Sequence, residues 1–483
     1  MENKTDFRRS LTLLDGTLLV MGSMIGSGIF IVGADIARNV GSAGWIIAVW
    51  VITGIMTMTA AVSYGELSGM FPRAGGQYVY LKESYNKLIA FLYGWSFFAV
   101  IQTATIAAVA IAFAKFSGYF FPELNLVPEN IIFAAGPLTF YNAHIVAIGV
   151  IILLTYINSR GVKEGKWIQI LFTFSKILAL LGLIIFGFLL VKESFWDQNW
   201  ANAFHAKHSV TDAKGAFVPG GWTEMTGIAL LGAIAAAMVG SVFSSDAWNN
   251  VTFIAGEIKN PQRNIGLALF LGTFMVTVLY VTTNLMYLNV LPLEAIAFPQ
   301  EDRLAVAAAN QIFGADGRFA IAALIMVSTF GCNNGLILAG ARVYYTMAQD
   351  GLFFKKAGTL NKNGVPQWAL WAQCLVASIL CLSGRYGNLL DMISFVVVIF
   401  YVLTIAGIFI LRRKRPDADR PYKAFGYPFL PALYIVMGLS FCLLLIWFKP
   451  EFTWPGLIIV LLGIPIYYTI QKRHEPGDQQ RIN

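Results

Sequence analysis

Charged residues are scarce in this chain: Asp, Glu, Lys and Arg make up 12% of its 483 residues, about half the share of a water-soluble domain. That shortage excludes an ordinary soluble enzyme or binding module. Cysteine is rarer still. Cys332, Cys374, Cys381 and Cys442 all fall inside apolar runs, without CxxC spacing. They read as small packing residues, and neither a disulfide framework nor a metal site is implied. The four histidines, His144, His205, His208 and His474, lie near run ends or in loops. With no converging histidine, thiol or carboxylate pair, no catalytic residue, metal ion or cofactor is expected, and the chain is read as not an enzyme.

What the sequence has in abundance is apolar surface: 57% of its residues are hydrophobic. Runs of about 20 such residues, each the length of a membrane-crossing helix, recur about twelve times. They lie near 17–38, 44–70, 89–119, 143–158, 167–191, 227–255, 265–290, 319–347, 366–384, 388–411, 431–448 and 453–470. The expected fold is an all-α polytopic membrane protein with about 12 transmembrane helices. The N-terminal tail MENKTDFRRS lacks a small-residue cleavage site, so the first span should be retained. Placing the N-terminus inside puts about 24 Lys and Arg in cytoplasmic segments and about 9 outside. Both termini are therefore expected in the cytoplasm of a cell in whose membrane the chain is embedded. The net charge of +8 reads as a topology signal, and no nucleic acid is expected as a partner. The densest basic cluster, Leu411 to Lys423, also suits anionic membrane lipid.

Two spans interrupt themselves. MGSMIGSGIF, residues 21–30, sets Gly22, Gly26 and Gly28 with Ser23 and Ser27 inside the first span; VGSVFSSDAWNN, Val239 to Asn250, does the same in the sixth. Irregular chain at membrane depth must line a cavity or be covered by protein. Paired breaks in the opening helix of each half point to an inverted-repeat transporter with its site between the repeats. The expected layout is a cytoplasmic tail at 1–16, a ten-helix core at 17–411 with repeats near 17–191 and 227–411, and a basic linker at 412–430. Two additional spans at 431–470 and a tail at 471–483 complete it. Asn264 is a candidate cap for the helix after the loop 256–266. The segment Lys192 to Trp222 is expected to carry a short surface helix, and 291–317 a lid helix.

A broken helix suits a zwitterion, whose opposite charges must each find a partner once stripped of water. Free amides near Gly26, Ser27, Gly28 and Ile29 offer a seat for a carboxylate. Carbonyls around Ser23 to Ile25 and Phe243 to Ser245 offer one for an ammonium group. Close helix packing is the plainer reading of the glycines. Lys176 sits far from either end of its span, where a charge costs about 2.5–3.5 kcal/mol on insertion scales, so a polar partner or cavity is expected; snorkelling is the alternative. Asp246 reads either as a cap for the second half of the sixth span or as a pocket residue. Thr103, Ala104, Thr105, Ser245 and Asn334 are further pocket candidates, although Asn333 and Asn334 serve equally as hydrogen-bonding glue between helices.

IGSGIF in the first span, with FSSDAWNNVTFIAGEIKNPQRNI, YGELSGMFPRAGGQYVYL and RRKRPDADRPYKAFGYP, resembles the amino acid–polyamine–organocation superfamily in its L-type amino acid transporter-like branch, with the prokaryotic permeases. The resemblance implies a LeuT-type fold: a 5+5 inverted repeat with helices 1 and 6 broken, plus two extra C-terminal helices. It assigns Gly26, Ser27 and Gly28 to the substrate carboxylate, and Met24, Ile25, Phe243 and Ser244 to the amine. Phe243 matches the aromatic gate over the substrate, and Lys176 stands where sodium-coupled relatives hold a cation. Several L-type members have glycine at the position of Asp246, which implies a narrower pocket here. The expected function is alternating-access transport of small to medium neutral amino acids, by sodium-independent exchange or proton-coupled uptake. The alternatives are a cationic amino acid or polyamine antiporter and, in other classes, a non-transporting amino acid sensor or a membrane-embedded enzyme. Animal heterodimeric members carry a bridging cysteine in the loop after the third span. YFFPELNLVPEN has none, so no disulfide-linked glycoprotein subunit is expected.

Overall fold

The computed structural model describes residues 11–72, 75–135, 138–161, 165–212, 217–383 and 386–472. His474 and residues 1–10 and 473–483 of the two tails lie outside them. The first helix, α1 (Leu13–Met24), opens on a capping box: Thr12 Oγ1 accepts from the Asp15 amide, and the Asp15 carboxylate accepts from the Thr12 amide. Two donors that a helix start leaves bare are thereby satisfied. After a break at residues 25–27, α2 (Gly28–Val40) departs at 46° to α1. It stops at Gly41, where φ is 51° and a Cβ would lie 2.4 Å from the Lys207 carbonyl oxygen. Only glycine fits that turn.

The chain continues through α3 (Ala43–Met70), the short α4 (Gln77–Ser84), α5 (Lys87–Ser96) and α6 (Gln102–Ser117), the last two joined by a π turn at Phe97–Ile101. Then come α7 (Asn142–Arg160), α8 (Gly165–Leu189), α9 (Trp196–Trp200), α10 (Gly227–Ser244), α11 (Asn250–Phe253) and α12 (Pro261–Val290). The remainder is α13 (Leu293–Ala297), α14 (Leu304–Phe313), α15 (Ala315–Gln349), α16 (Gln367–Ser383), α17 (Tyr386–Lys414), α18 (Phe429–Phe448) and α19 (Pro450–Lys472). Two antiparallel hairpins mark one end of the bundle: β1 (Ile131–Ala135) with β2 (Leu138–Tyr141), and β3 (Lys207–Thr211) with β4 (Phe217–Glu224). The segment 192–222 thus holds a short helix, as expected, and a hairpin the sequence did not announce.

Among the described residues ten helical segments are long and apolar enough to cross a membrane, and the bent pair α1–α2 makes an eleventh. The remaining expected span is α16, whose 17 residues fall short of the about 20 a full crossing needs. The two breaks are unequal. The sequence led us to expect a span over 227–255, but α10 ends at Ser244 and helix resumes only for the four residues of α11 before a 3-10 turn at Ala255–Glu257. Ser245, Asp246, Asn249 and Asn250 hold side chains that compete for backbone hydrogen bonds, and Ala247 adopts a φ of 61°. At the next helix, Asn264 is not the cap. Asn260, in a left-handed conformation, precedes Pro261 at the first helical position, and Asn264 instead bonds the Lys259 carbonyl at 2.6 Å.

In the bundle α3 runs along α12, α2 along α10, and α6 along α15, while α1 rests on α12 and α8. At the hairpin end, Asp302 joins Arg38 of α2 at 2.7 Å and Lys115 of α6 at 3.7 Å. Arg303 donates to the Lys115 carbonyl at 2.5 Å and to Asn125 at 2.7 Å. The segment 291–317, carrying α13 and α14, is thus tied to the first and third spans. At the opposite end, which carries the basic linker, Glu66 of α3 accepts from Arg412 Nε at 3.0 Å and Nη2 at 2.7 Å, and from the Ala424 amide at 2.7 Å. Arg415 pairs with Glu83 at 2.7 Å, and the Arg412 guanidinium lies 3.6 Å above the Tyr427 ring. Much of the linker's positive charge is therefore matched within the chain. α18 packs on α17, α3 and α10, and α19 on α5 and α17.

Candidate functional site

The break in the first span is narrower than the sequence suggests. Gly22 and Ser23 are helical, and only Ile25, Gly26 and Ser27 leave the helix. A helix that stops leaves its last carbonyls without donors, and here side chains from three other helices supply them. The amide of Gly26 turns to the Met24 carbonyl at 2.8 Å, so the Gly22 carbonyl loses its helical donor. Lys176 of α8 replaces it, with Nζ at 2.9 Å. Cys332 of α15 places its Sγ 3.8 Å from the Ser23 carbonyl. Tyr280 of α12 donates to the Met24 carbonyl at 2.9 Å and lies 3.1 Å from the carbonyl of Ser244. One phenol therefore bridges both breaks. Lys176 is buried, 1% exposed, which answers the question its position raised: it has a polar partner in the fold and does not snorkel.

The two breaks touch. A Cβ on Gly28 would lie 2.0 Å from Ser244 Oγ, and one on Gly240 would lie 2.8 Å from the Val32 Cβ. Close packing and an irregular backbone thus occur at the same place. The first-turn amides of α2, those of Gly28 and Ile29, face no carbonyl of their own helix. The Met24 carbonyl, by contrast, already accepts from Gly26 and Tyr280, and Ser244 Oγ donates to the Gly240 carbonyl at 2.7 Å. Phe243 occupies the last turn of α10 and is 8% exposed.

Beyond the second break lies a gap of about 350 Å³ counted with the solvent it opens onto, of which about 20 Å³ is cavity proper, bounded by α4, the π turn, α6, residues 246–250, α15 and α17. A second gap, about 270 Å³ on the same count and again about 20 Å³ of cavity proper, adjoins α3, α10, α17 and α18. Asp246 lines both. Its carboxylate does not cap the following helix, whose N-cap is Asn249; it accepts from the Tyr401 hydroxyl at 2.5 Å. Of the other pocket candidates, Thr105 lines the larger space and Ser245 the smaller. Thr103 turns back on the Phe98 carbonyl at 2.9 Å, compensating the π turn, and Ala104 is fully buried. Asn334 accepts from Asn158 of α7 at 2.8 Å, as interhelical glue does. Tyr280, Gln77, Gln102, Asn249 and Tyr401 escaped the sequence reading. Only Asn249, inside the polar interruption, carried a local signal.

The amino acid permease family profile matches residues 11–468. The chain belongs to the amino acid permease family. Among its relatives, the human cystine/glutamate transporter is 29% identical over 97% of this chain and 86% of its own length. The mouse b(0,+)-type amino acid transporter 1 is 26% identical over 99% and 91%. The mouse large neutral amino acids transporter small subunit 2 is 27% identical over 97% and 82%. The permease is thus a membrane transporter of the amino acid–polyamine–organocation superfamily, and not an enzyme. One expectation goes without support and another falls. These relatives are mammalian, so nothing singles out a prokaryotic branch. One of them is named as a small subunit, a component of a larger assembly, so the expectation that no disulfide-linked glycoprotein subunit accompanies the permease is withdrawn.

Proposed function

We propose that the permease exchanges amino acids across the cell membrane by alternating access between two five-helix repeats. In this reading α16 is a true span, giving twelve, and the linker end faces the cytoplasm, as the excess of Lys and Arg there favours. The substrate carboxylate sits beside Gly26, Ser27 and Gly28, on the first-turn amides of Gly28 and Ile29 that open α2, where partial positive charge accumulates. The Gly26 amide is already bonded to Met24. The substrate's ammonium group takes the backbone carbonyl of Ile25, beside Phe243, since the carbonyls of Gly22, Met24 and Phe243 have donors already. Phe243 covers the bound molecule, and Lys176 braces the first span in place of a coupling cation, so exchange needs no sodium.

The observation that carries the choice of substrate is Asp246, a half-buried carboxylate facing both open spaces. A carboxylate beside a cavity favours a cationic or hydrogen-bonding side chain over a purely apolar one. We therefore favour cationic and polar amino acids over the small neutral ones expected from the narrowing argument. The neutral reading keeps one support: Tyr401 already donates to Asp246. Proteoliposomes loaded with a trapped counter-substrate decide between them. External arginine or lysine should accelerate efflux more than serine or leucine. Preference for leucine would restore the neutral reading, and binding without flux under any gradient would make the protein a sensor.

A further inference from the structure

The larger space is walled in part by the start of α4, whose first residue is a buried amide. Gln77 is 2% exposed and lines the cavity. Its Nε2 donates to Thr404 Oγ1 of α17 at 3.0 Å, and its Oε1 accepts from Asn249 Nδ2, in the second break, at 3.1 Å. One side chain thus joins a loop, the interrupted sixth span and the tenth.

The backbone before Gln77 is shaped to deliver it there. Gly75 and Gly76 have φ of 106° and 44°, and a Cβ on Gly76 would lie 2.3 Å from Thr252 Oγ1. Side-chain-bearing residues are strained at both positions. The rest of α4 is moored independently. Tyr78 and Lys82 reach Asp350, the C-cap of α15, at 2.8 and 2.7 Å, and Lys414 donates to the Ser84 carbonyl at 3.0 Å. Tyr78, beside Gln77, is thus bound to a carboxylate, the far end of α4 is held by partly exposed contacts of Lys82 and Lys414, and Gln77 itself is held by two neutral hydrogen bonds. Opening the cavity toward the linker end requires α4 to part from the 246–250 segment and from α17; the Asn249 bond lies across the first seam and the Thr404 bond across the second.

We infer that Gln77 is a positioning residue that holds the cytoplasmic end of the cavity shut, coupling closure of α4 to the conformation of the second break. This rests on the orientation and cavity assigned under the proposed function. Neutral buried bonds of this kind are weak enough to break in each cycle, each shifting an equilibrium by roughly tenfold or less.

The test uses the full chain in vesicles of known sidedness, with Val397→Cys as a reporter on the α17 wall of the cavity and a membrane-impermeant maleimide as probe. Gln77→Ala should raise the labelling rate from the cytoplasmic face by roughly fivefold or more and leave the opposite face unchanged. It should also shift half-saturation for internal substrate while sparing external substrate. Thr404→Val, which removes one bond from the other partner, should produce a smaller rise, and the double variant no more than Gln77→Ala alone. Equal labelling in parent and both variants overturns the inference. So does an equal rise on both faces, which would mean general loosening. Labelling needs no substrate, so loss of exchange in the parent itself would sink the proposed function without touching this result.

Discussion

Replacing Lys176 by Met tests whether the break in the first span depends on a borrowed donor. The Gly22 carbonyl has lost its helical partner because Gly26 bonds Met24, and Lys176 Nζ stands in at 2.9 Å. Methionine has a similar length and no donor, so the variant deletes the bond while keeping most of the packing, and it removes a charge that hinders membrane insertion. A hydrogen bond to a charged group contributes about 1.5–3 kcal/mol, and a buried carbonyl left without one costs a similar amount. If that energy is present only while α1 rests against α8, the closed arrangement is weakened roughly 10- to 150-fold. Exchange in proteoliposomes should therefore fall by about tenfold or more, with protein yield in the membrane equal to or above that of the parent. The same variant should leave sodium without effect. An exchange rate and half-saturation indistinguishable from the parent would refute the bracing argument, because an optional bond at this carbonyl cannot organise the break.

Asp246→Asn should raise half-saturation for arginine by roughly tenfold while changing leucine by less than about twofold, measured by counterflow; equal effects on both would remove charge recognition from the cavity. Tyr280→Phe takes the donor from Met24 and the contact from Ser244 at once, so exchange should drop by roughly fivefold or more with little change in thermal stability. Asp302 is pushed up by burial, but Lys115 and Arg38 more than offset this and hold its carboxyl below the usual 3.8. A depressed carboxyl stabilises the folded state fully above pH 3.8 and loses that contribution as pH falls toward its folded value. Asp302→Asn should accordingly lower the melting temperature at neutral pH, with the difference from the parent shrinking in strong acid; a gap independent of pH would contradict the pairing.

The features legible in the sequence were those that violate an apolar background. Glycine and serine inside a hydrophobic run announced the first break, and the cost of a charge at depth singled out Lys176. What the run could not reveal was which carbonyls the break would free or what would reach them. That depends on α8, α12 and α15, each distant in sequence, and Tyr280 looks like any aromatic packing residue until its hydroxyl is placed between two helix ends. The second break was anticipated from Val239 to Asn250, but its far side was overrated: a run of Ser, Asp and Asn stops one helix without ensuring another. Asn334 illustrates the same limit. An amide in a span promises a hydrogen bond, and only the neighbouring α7 decides that Asn158 receives it. Gln77 lay within a quoted motif, yet its burial follows from the turn at Gly75 and Gly76, which no local periodicity reports.

The ring of Tyr422 lies against Gly65 of α3, where a Cβ would come within 2.7 Å of it, while Glu66 beside it is held by Arg412 and the Ala424 amide. The stretch between α17 and α18 therefore behaves as a keel, bolted beneath the helices it passes. A permease shortened after Lys414 would retain every residue assigned to the substrate, yet it would leave one acid without its backbone clasp and open a groove beside Gly65. Minimal versions of this carrier should keep residues up to at least 427.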